Sequence, residues 1–347
     1  MNTSTSIPAD AALHTSRATV AALVPDSPWH AGEVELQRHI GVAERMAELG
    51  PRSIRDHLIE QHRTFFPQLP FVVMGSVAPD GQVWATLVGA HPGFLQATDE
   101  HTLAVHALPD PADPVRAGIA EDASIAMLGI ELHTRRRNRL NGVVTHLDER
   151  GFDLSVRESF GNCPKYIQRR DATWVREPGE SSPYAPTEFD HLSGAAQTLV
   201  RNADTFFVAT YVDGADGARR VDVSHRGGKS GLVRIGEDGV LTVPDFVGNR
   251  FFSTLGNIRV NPKAGLVFVD FETGDLVQIT GAAEVVLDAP EIEAFEGAER
   301  LWRVTPSRVI YRPAALPLRL AIREDGWSPQ ALATGDWASV AARLSAA

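Results

Sequence analysis

Apolar residues along this chain first follow a helical period and then switch to short strands. Leu36, Ile40, Ala43 and Ala47 recur at steps of three and four, which predicts a helix that Gly50-Pro51 stops. Ser53 has the character of an N-cap for a second helix carrying Ile54, Leu58 and Gln61, ended by Phe65-Phe66-Pro67. From Leu69 the texture becomes β. Phe71–Met74 and Val83–Val88 flank the turn Pro79-Asp80-Gly81, and Gly93–Leu95, Leu103–Val105, Ile125–Ile130 and Leu140–Val143 follow. Short strands separated by turn signals predict an antiparallel barrel. Residues 1–27, rich in Ser, Thr, Ala and Pro without lasting periodicity, are expected to form a flexible tail.

The strand series then recurs. Leu103, Ala126, Leu128 and Ile130 correspond to Leu241, Ala264, Leu266 and Phe268, each 138 positions later, while Phe71 matches Phe206 at 135 and Gly142 matches Gly281 at 139. A repeat this long means a duplicated domain rather than a solenoid. The expected organisation is a first barrel with N-terminal helices over 28–170, a connector and helix over 171–203, a second barrel over 204–312, and an extension over 313–347.

Composition narrows the class. The 347 residues suffice for two domains, and 43% hydrophobic with 22% charged residues is a globular balance. A net charge of −11 argues against a general nucleic-acid or membrane-surface binder, while leaving room for a local basic pocket. One cysteine, Cys163, suits a reducing compartment, and no signal peptide or membrane span is read, so a cytoplasmic location is expected.

Candidate chemistry concentrates in the second copy. Arg250, Ser253 and Thr254 lie within five residues, with Asn249 beside them, and could hold a phosphate dianion through charged and hydroxyl donors. Ser224-His225-Arg226-Gly227-Gly228-Lys229 precedes them, read alone as a solvated turn, and Gln278 lies on a later polar strand. Where the second copy has Gly248–Leu255 the first carries Asp110, Asp113, Pro111 and Pro114, with Pro109 just before, so it is expected to hold a degenerate site. Arg135-Arg136-Arg137-Asn138-Arg139 reads as a solvated turn, or as a collar for an anionic substrate or reduced nicotinamide. Cys163 reads as a small buried residue; a role for it or Tyr166 at a flavin edge is the alternative. The histidine spacings give no metal pattern, and no general acid or base stands out.

The run Val221–Gly281, with Asn261-Pro262 before an apolar strand, resembles the FMN-binding split barrel of pyridoxamine 5'-phosphate oxidase-like proteins. Pro28–Glu33 and Gly161–Gln168 resemble a two-barrel bacterial branch of that family. The resemblance covers about 28–312 and implies a mainly β fold with flanking helices, arranged as tandem split β-barrels. It implies FMN, or a deazaflavin in its place, with the phosphate at Arg250, Ser253 and Thr254. The ring would lie along Ser224, His225 and Arg226, with Gln278 near a ring heteroatom. The implied activity is oxidation or reduction of a small molecule, with NAD(P)H or a reductase as electron donor and a homodimer as one arrangement. The rival is a non-catalytic flavin or haem carrier or sensor. The arginine-rich ending that binds pyridoxal phosphate is not found; Trp302–Val309 reads differently, which argues against a vitamin B6 substrate.

Overall fold

The computed structural model describes residues 27–214 and 217–346. Residues 1–26 of the expected tail lie outside the described residues. Three helices come first among the described residues: α1 (Ala31–His39), α2 (Ala43–Ser53) and α3 (Glu60–Phe65). The first sheet comprises β1 (Phe71–Val77), β2 (Val83–Gly89), β3 (Leu95–Ala97), β4 (Thr102–Val105), β5 (Ser124–Glu131), β6 (Arg136–Leu147) and β7 (Phe152–Gly161). Then come β8 (Arg170–Trp174), β9 (Thr187–Phe189) and α4 (Gly194–Asn202). The second sheet comprises β10 (Thr205–Asp213), β11 (Arg219–Gly227), β12 (Arg234–Ile235), β13 (Leu241–Phe246), β14 (Lys263–Val269), β15 (Leu276–Val286) and β16 (Ala298–Arg312). Helix α5 (Ser253–Val260) enters between β13 and β14, and α6 (Pro290–Ala294) between β15 and β16. The chain ends in β17 (Leu318–Ile322), α7 (Pro329–Leu332) and α8 (Trp337–Ala346).

The two sheets share one topology. The first runs β2-β1-β5-β6-β7-β4-β3 and the second β11-β10-β14-β15-β16-β13-β12, position for position, with β9 added beside β16. All seven strands of the first sheet send side chains into one apolar cluster, among them Met74, Trp84, Leu95, Leu103, Met127, Leu140 and Leu154, so the sheet curls around it. In the second barrel β10, β13, β14, β15 and β16 line a like cluster with Phe206, Val208, Leu241, Leu266, Ile279 and Val304. A third cluster joins the barrels back to back, where Val73, Leu128 and Ile130 meet Phe207, Ala209, Val223 and Val267.

The ladders correct the repeat offset by one residue in several strands. Met74 pairs with Met127 inside the first barrel as Val208 pairs with Leu266 inside the second. Leu128, matched to Leu266 by sequence, instead faces the shared cluster, and Phe71 differs from Phe206 in the same way. Because strand side chains alternate, a shift of one exchanges the two faces. Gly142 and Gly281 do correspond: Ile125 pairs with Gly142 and Ala264 with Gly281, each at a β-bulge. A Cβ there would stand 2.3 Å from the Ser155 carbonyl oxygen and 2.1 Å from that of Thr305, so both positions require glycine.

The helix boundaries also shift. Gly41, at φ 71°, breaks the expected first helix into α1 and α2, and α2 runs through Gly50-Pro51 to end at Ser53. Ser53 is therefore a last turn and not an N-cap. The C-terminal extension packs on the connector, because β17 pairs with β8.

Candidate functional site

β11 leads into the cleft. Its Val221 and Val223 enter the shared cluster, while Asp222, Ser224 and Arg226 alternate to the other side. Opposite stands β6 of the first barrel, whose Arg137 and Arg139 project between the barrels, with Asn162, Cys163, Lys165 and Tyr166 following β7. The loop Gly248–Phe252 and the N-terminus of α5 close the third side. The cleft measures about 110 Å³ for a water-sized sphere and brings together Ser224, His225, Arg226, Asn249, Arg250, Ser253 and Thr254. Six cationic side chains line it against two carboxylates, in a chain of net charge −11.

Most of these charges are already matched. Arg139 pairs with Asp222 at 2.7 Å, and the same carboxylate accepts the hydroxyls of Ser224 at 3.1 Å and Thr254 at 3.4 Å. Arg250 donates to Glu299 at 2.6 Å, Glu299 also meets Arg300 at 2.9 Å, and Arg300 reaches Asp245. Two guanidiniums remain. Arg137 and Arg226 have no carboxylate partner among the described residues, and the Nε of each is buried without a hydrogen bond. Burial draws Arg137 down to about 9, with the Arg139 charge adding to the effect, so it is still cationic at neutral pH. Arg226 is lowered by burial too.

Between those cations, His225 is 4% exposed and packs edge-on to Phe207 at 5.6 Å. Burial, then the charges of Arg137 and Arg226, hold it well below the usual histidine range, so it is neutral. Its Nε2 has no partner. Helix α5 offers backbone donors: Phe252 before it supplies no side-chain cap, and the first N–H groups of a helix have no intrahelical acceptor. The Ser253 hydroxyl is also unpartnered among the described residues. Three non-glycine residues lining the cleft, Tyr166, Arg250 and Phe252, hold φ between 63° and 68°. Strain of that kind gathers at ligand sites. Asn249 steadies the turn by accepting the Phe251 N–H at 3.1 Å.

Several sequence expectations need correction. Gln278 does not join the cleft; it is fully buried elsewhere and donates to the Ala85 carbonyl and to Asp113. The reason is that each barrel's long central strand points at the other barrel's site, so the residue facing this cleft is Arg139 on β6, at the repeat position of Gln278. The arginine run is no solvated turn. Arg135 binds the carbonyls of Ile167, Gly326 and Trp327, and from Arg136 onward the run is strand, which sends Arg137 and Arg139 inward. Arginines two apart in a run leading into the apolar positions of a strand were the available signal. Gly227 accommodates protein and not a ring: a Cβ there would stand 2.1 Å from the Tyr166 carbonyl oxygen. Cys163 is half-buried at the cleft wall.

Residues 58–176, spanning the first barrel, match the family model of pyridoxamine 5'-phosphate oxidase. Curated protein sequences provide no match. Solved structures similar to this chain include HupZ of Group A Streptococcus, at 22% identity over 32% of this chain and 86% of that one, TM-score 0.25. Another is a putative pyridoxamine 5'-phosphate oxidase from Lactobacillus delbrueckii, at 16% over 30% and 95%, TM-score 0.25. A third is HutZ, the heme storage protein from Vibrio cholerae, at 15% over 34% and 91%, TM-score 0.24. At these values the structural likenesses carry no functional argument. The pyridoxamine 5'-phosphate oxidase match thus lies on the first barrel, and the second sheet repeats that barrel's strand order, so the chain is a tandem of two split β-barrels.

Proposed function

We propose that this chain binds one FMN in the cleft between its barrels and acts as an FMN-dependent oxidoreductase on a small molecule. One observation supports this above the others: Arg137 and Arg226, without carboxylate partners among the described residues, converge near the uncapped N-terminus of α5. A dianionic phosphate satisfies both guanidiniums and the helix N–H groups together. Arg137 and Arg226 would hold it with Ser253 and Thr254, Arg250 guarding the mouth. The ring would lie along Ser224, His225 and Arg226, facing Tyr166. FMN supplies hydride and electron transfer when bound; the chain binds it, orients it and shields it from water. A small-molecule substrate and NAD(P)H or a reductase complete the scheme, in a cytoplasmic setting with a homodimer as the expected assembly.

A second reading, a flavin or haem carrier or sensor, is favoured by the pairing of both cleft carboxylates, Asp245 and Glu299, with arginines. That leaves no free acid at the cleft wall. Titration of the full chain with FMN should quench flavin fluorescence at one equivalent. A colourless protein that neither quenches nor gains thermal stability from FMN overturns the proposal. An absorption spectrum separates FMN from a deazaflavin or haem, and anaerobic bleaching by NADH or NADPH with turnover separates enzyme from carrier.

A further inference from the structure

The ladder registers carry the cleft residues onto counterparts in the other repeat. Thr86 stands where Ser224 does, because Met74 pairs with Thr86 as Val208 pairs with Ser224. Gln278 stands where Arg139 does, and Arg312 where Asn162 does. Leu276 and Val88 take the places of Arg137 and Arg226. The 3-10 turn Pro114–Gly118 replaces α5, and Asp113 precedes it as its N-cap.

At this second position Asp113 is 4% exposed and its carboxylate is enclosed by donors. The Thr86 hydroxyl and the Arg312 guanidinium meet one oxygen. The Gln278 amide at 3.0 Å and the Val115 N–H at 3.0 Å meet the other. A hydroxyl, an amide, a peptide N–H and a guanidinium form an anion site, here filled from within the chain. The Gln278 amide oxygen has no partner, so the side chain is held by its nitrogen, which donates to the carboxylate and to the Ala85 carbonyl at 2.9 Å.

We propose that the first repeat retains a self-occupied anion site, in which Asp113 takes the place of an external carboxylate or phosphate. Truncating Asp113 then opens a latent site for a small anion. Arg312 also lines a surface pocket of about 340 Å³ between Asp110–Ala112 and the connector residues Ser181–Pro186, which gives an entering anion a route. Asp110, 3.6 Å from Arg312, favours a monoanion such as acetate over phosphate. Only the corollary of one flavin per chain rests on the function proposed above.

The test is thermal unfolding of full-length Asp113→Ala and wild type in sodium acetate, sodium phosphate and sodium chloride at matched ionic strength. Asp113→Ala should unfold at lower temperature, and saturating acetate should restore about 3 °C or more beyond any gain by wild type. Adding Arg312→Leu should abolish that restoration. If Asp113→Ala fails to fold in chloride, recovery of soluble folded protein by acetate supports the proposal. Absence of recovery, with Asp113→Asn as stable as wild type, overturns it. Equal acetate response in Asp113→Ala and wild type also overturns it. FMN titration of wild type separates the two ideas. Two equivalents bound contradict the closed site, whereas none bound contradicts only the flavin proposal.

Discussion

Arg226 and Arg250 illustrate how a residue's partners decide its use. Both are arginines at the cleft, yet Arg250 is tied to Glu299 at 2.6 Å, while Arg226 forms no ion pair among the described residues and donates to the His225 carbonyl at 3.1 Å. A charged hydrogen bond to a buried anion contributes roughly 1.5–3 kcal/mol. Arg226→Ala, and likewise Arg137→Ala, should weaken FMN binding by about tenfold or more, read by fluorescence titration. Arg250→Ala should cost less than either, since Glu299 already shares its charge. A larger loss at Arg250 would move the phosphate to the mouth of the cleft. Arg250, Ser253 and Thr254 were legible in the sequence as a local cluster. Arg137 and Arg139 were legible only as a solvated turn or an electrostatic collar, because their relation to Arg226 exists only across barrels.

At the scale of elements, α5 aims its N-terminus at the cleft because α1 and β10 hold it there. His30, the N-cap of α1, meets Asn257 at 2.8 Å, and Asn257 in turn donates to Thr210 at 3.0 Å. The helices cross at Gly32 and Gly256, where a Cβ on Gly256 would stand 2.7 Å from the Glu33 nitrogen. Gly256→Ala should therefore destabilise the chain by about 1–3 kcal/mol in urea unfolding and lower FMN affinity with it. Full affinity in a destabilised Gly256→Ala would show that α5 does not need α1 for its aim. Helix α3 makes a separate prediction. His62 is 3% exposed and hydrogen-bonds Ser159 at 2.7 Å, and burial, with Arg55 and Arg136, lowers it to about 4. Below pH 6.5 the unfolded chain takes up a proton that the folded chain refuses. Stability from this residue is thus full above pH 6.5 and declines as pH falls toward 4, by at most roughly 1.4 kcal/mol per pH unit. Urea unfolding at pH 7, 6 and 5 should show a shallower decline in His62→Asn than in wild type.

For the whole molecule, the cleft exists only while the barrels stay together. Gly75 lies in that shared packing, where a Cβ would approach Ala209 Cβ to 2.9 Å and Val223 Cβ to 3.3 Å. Gly75→Val should separate the barrels slightly, lowering stability by about 1–3 kcal/mol and FMN affinity in the same variant. Unchanged FMN affinity would mean that the cleft tolerates relative movement of its walls. Ligand at a hundred times its dissociation constant should raise wild-type stability by about 2.7 kcal/mol, read in urea with and without FMN.

The sequence by itself determined the β class, the duplication, and the local cluster of Arg250, Ser253 and Thr254. Those rest on local signals: strand texture, turn residues, and a repeat that recurs within a few positions. It left the offset uncertain by one, since apolar patterning in a strand buried on both faces does not say which face is which. Only the tertiary structure decided which strands look into which cleft. Packing the barrels back to back exchanges their central strands between sites, so Arg139 serves the open cleft and Gln278 the one closed by Asp113. Neither assignment follows from neighbours along the chain, because each partner comes from the other barrel.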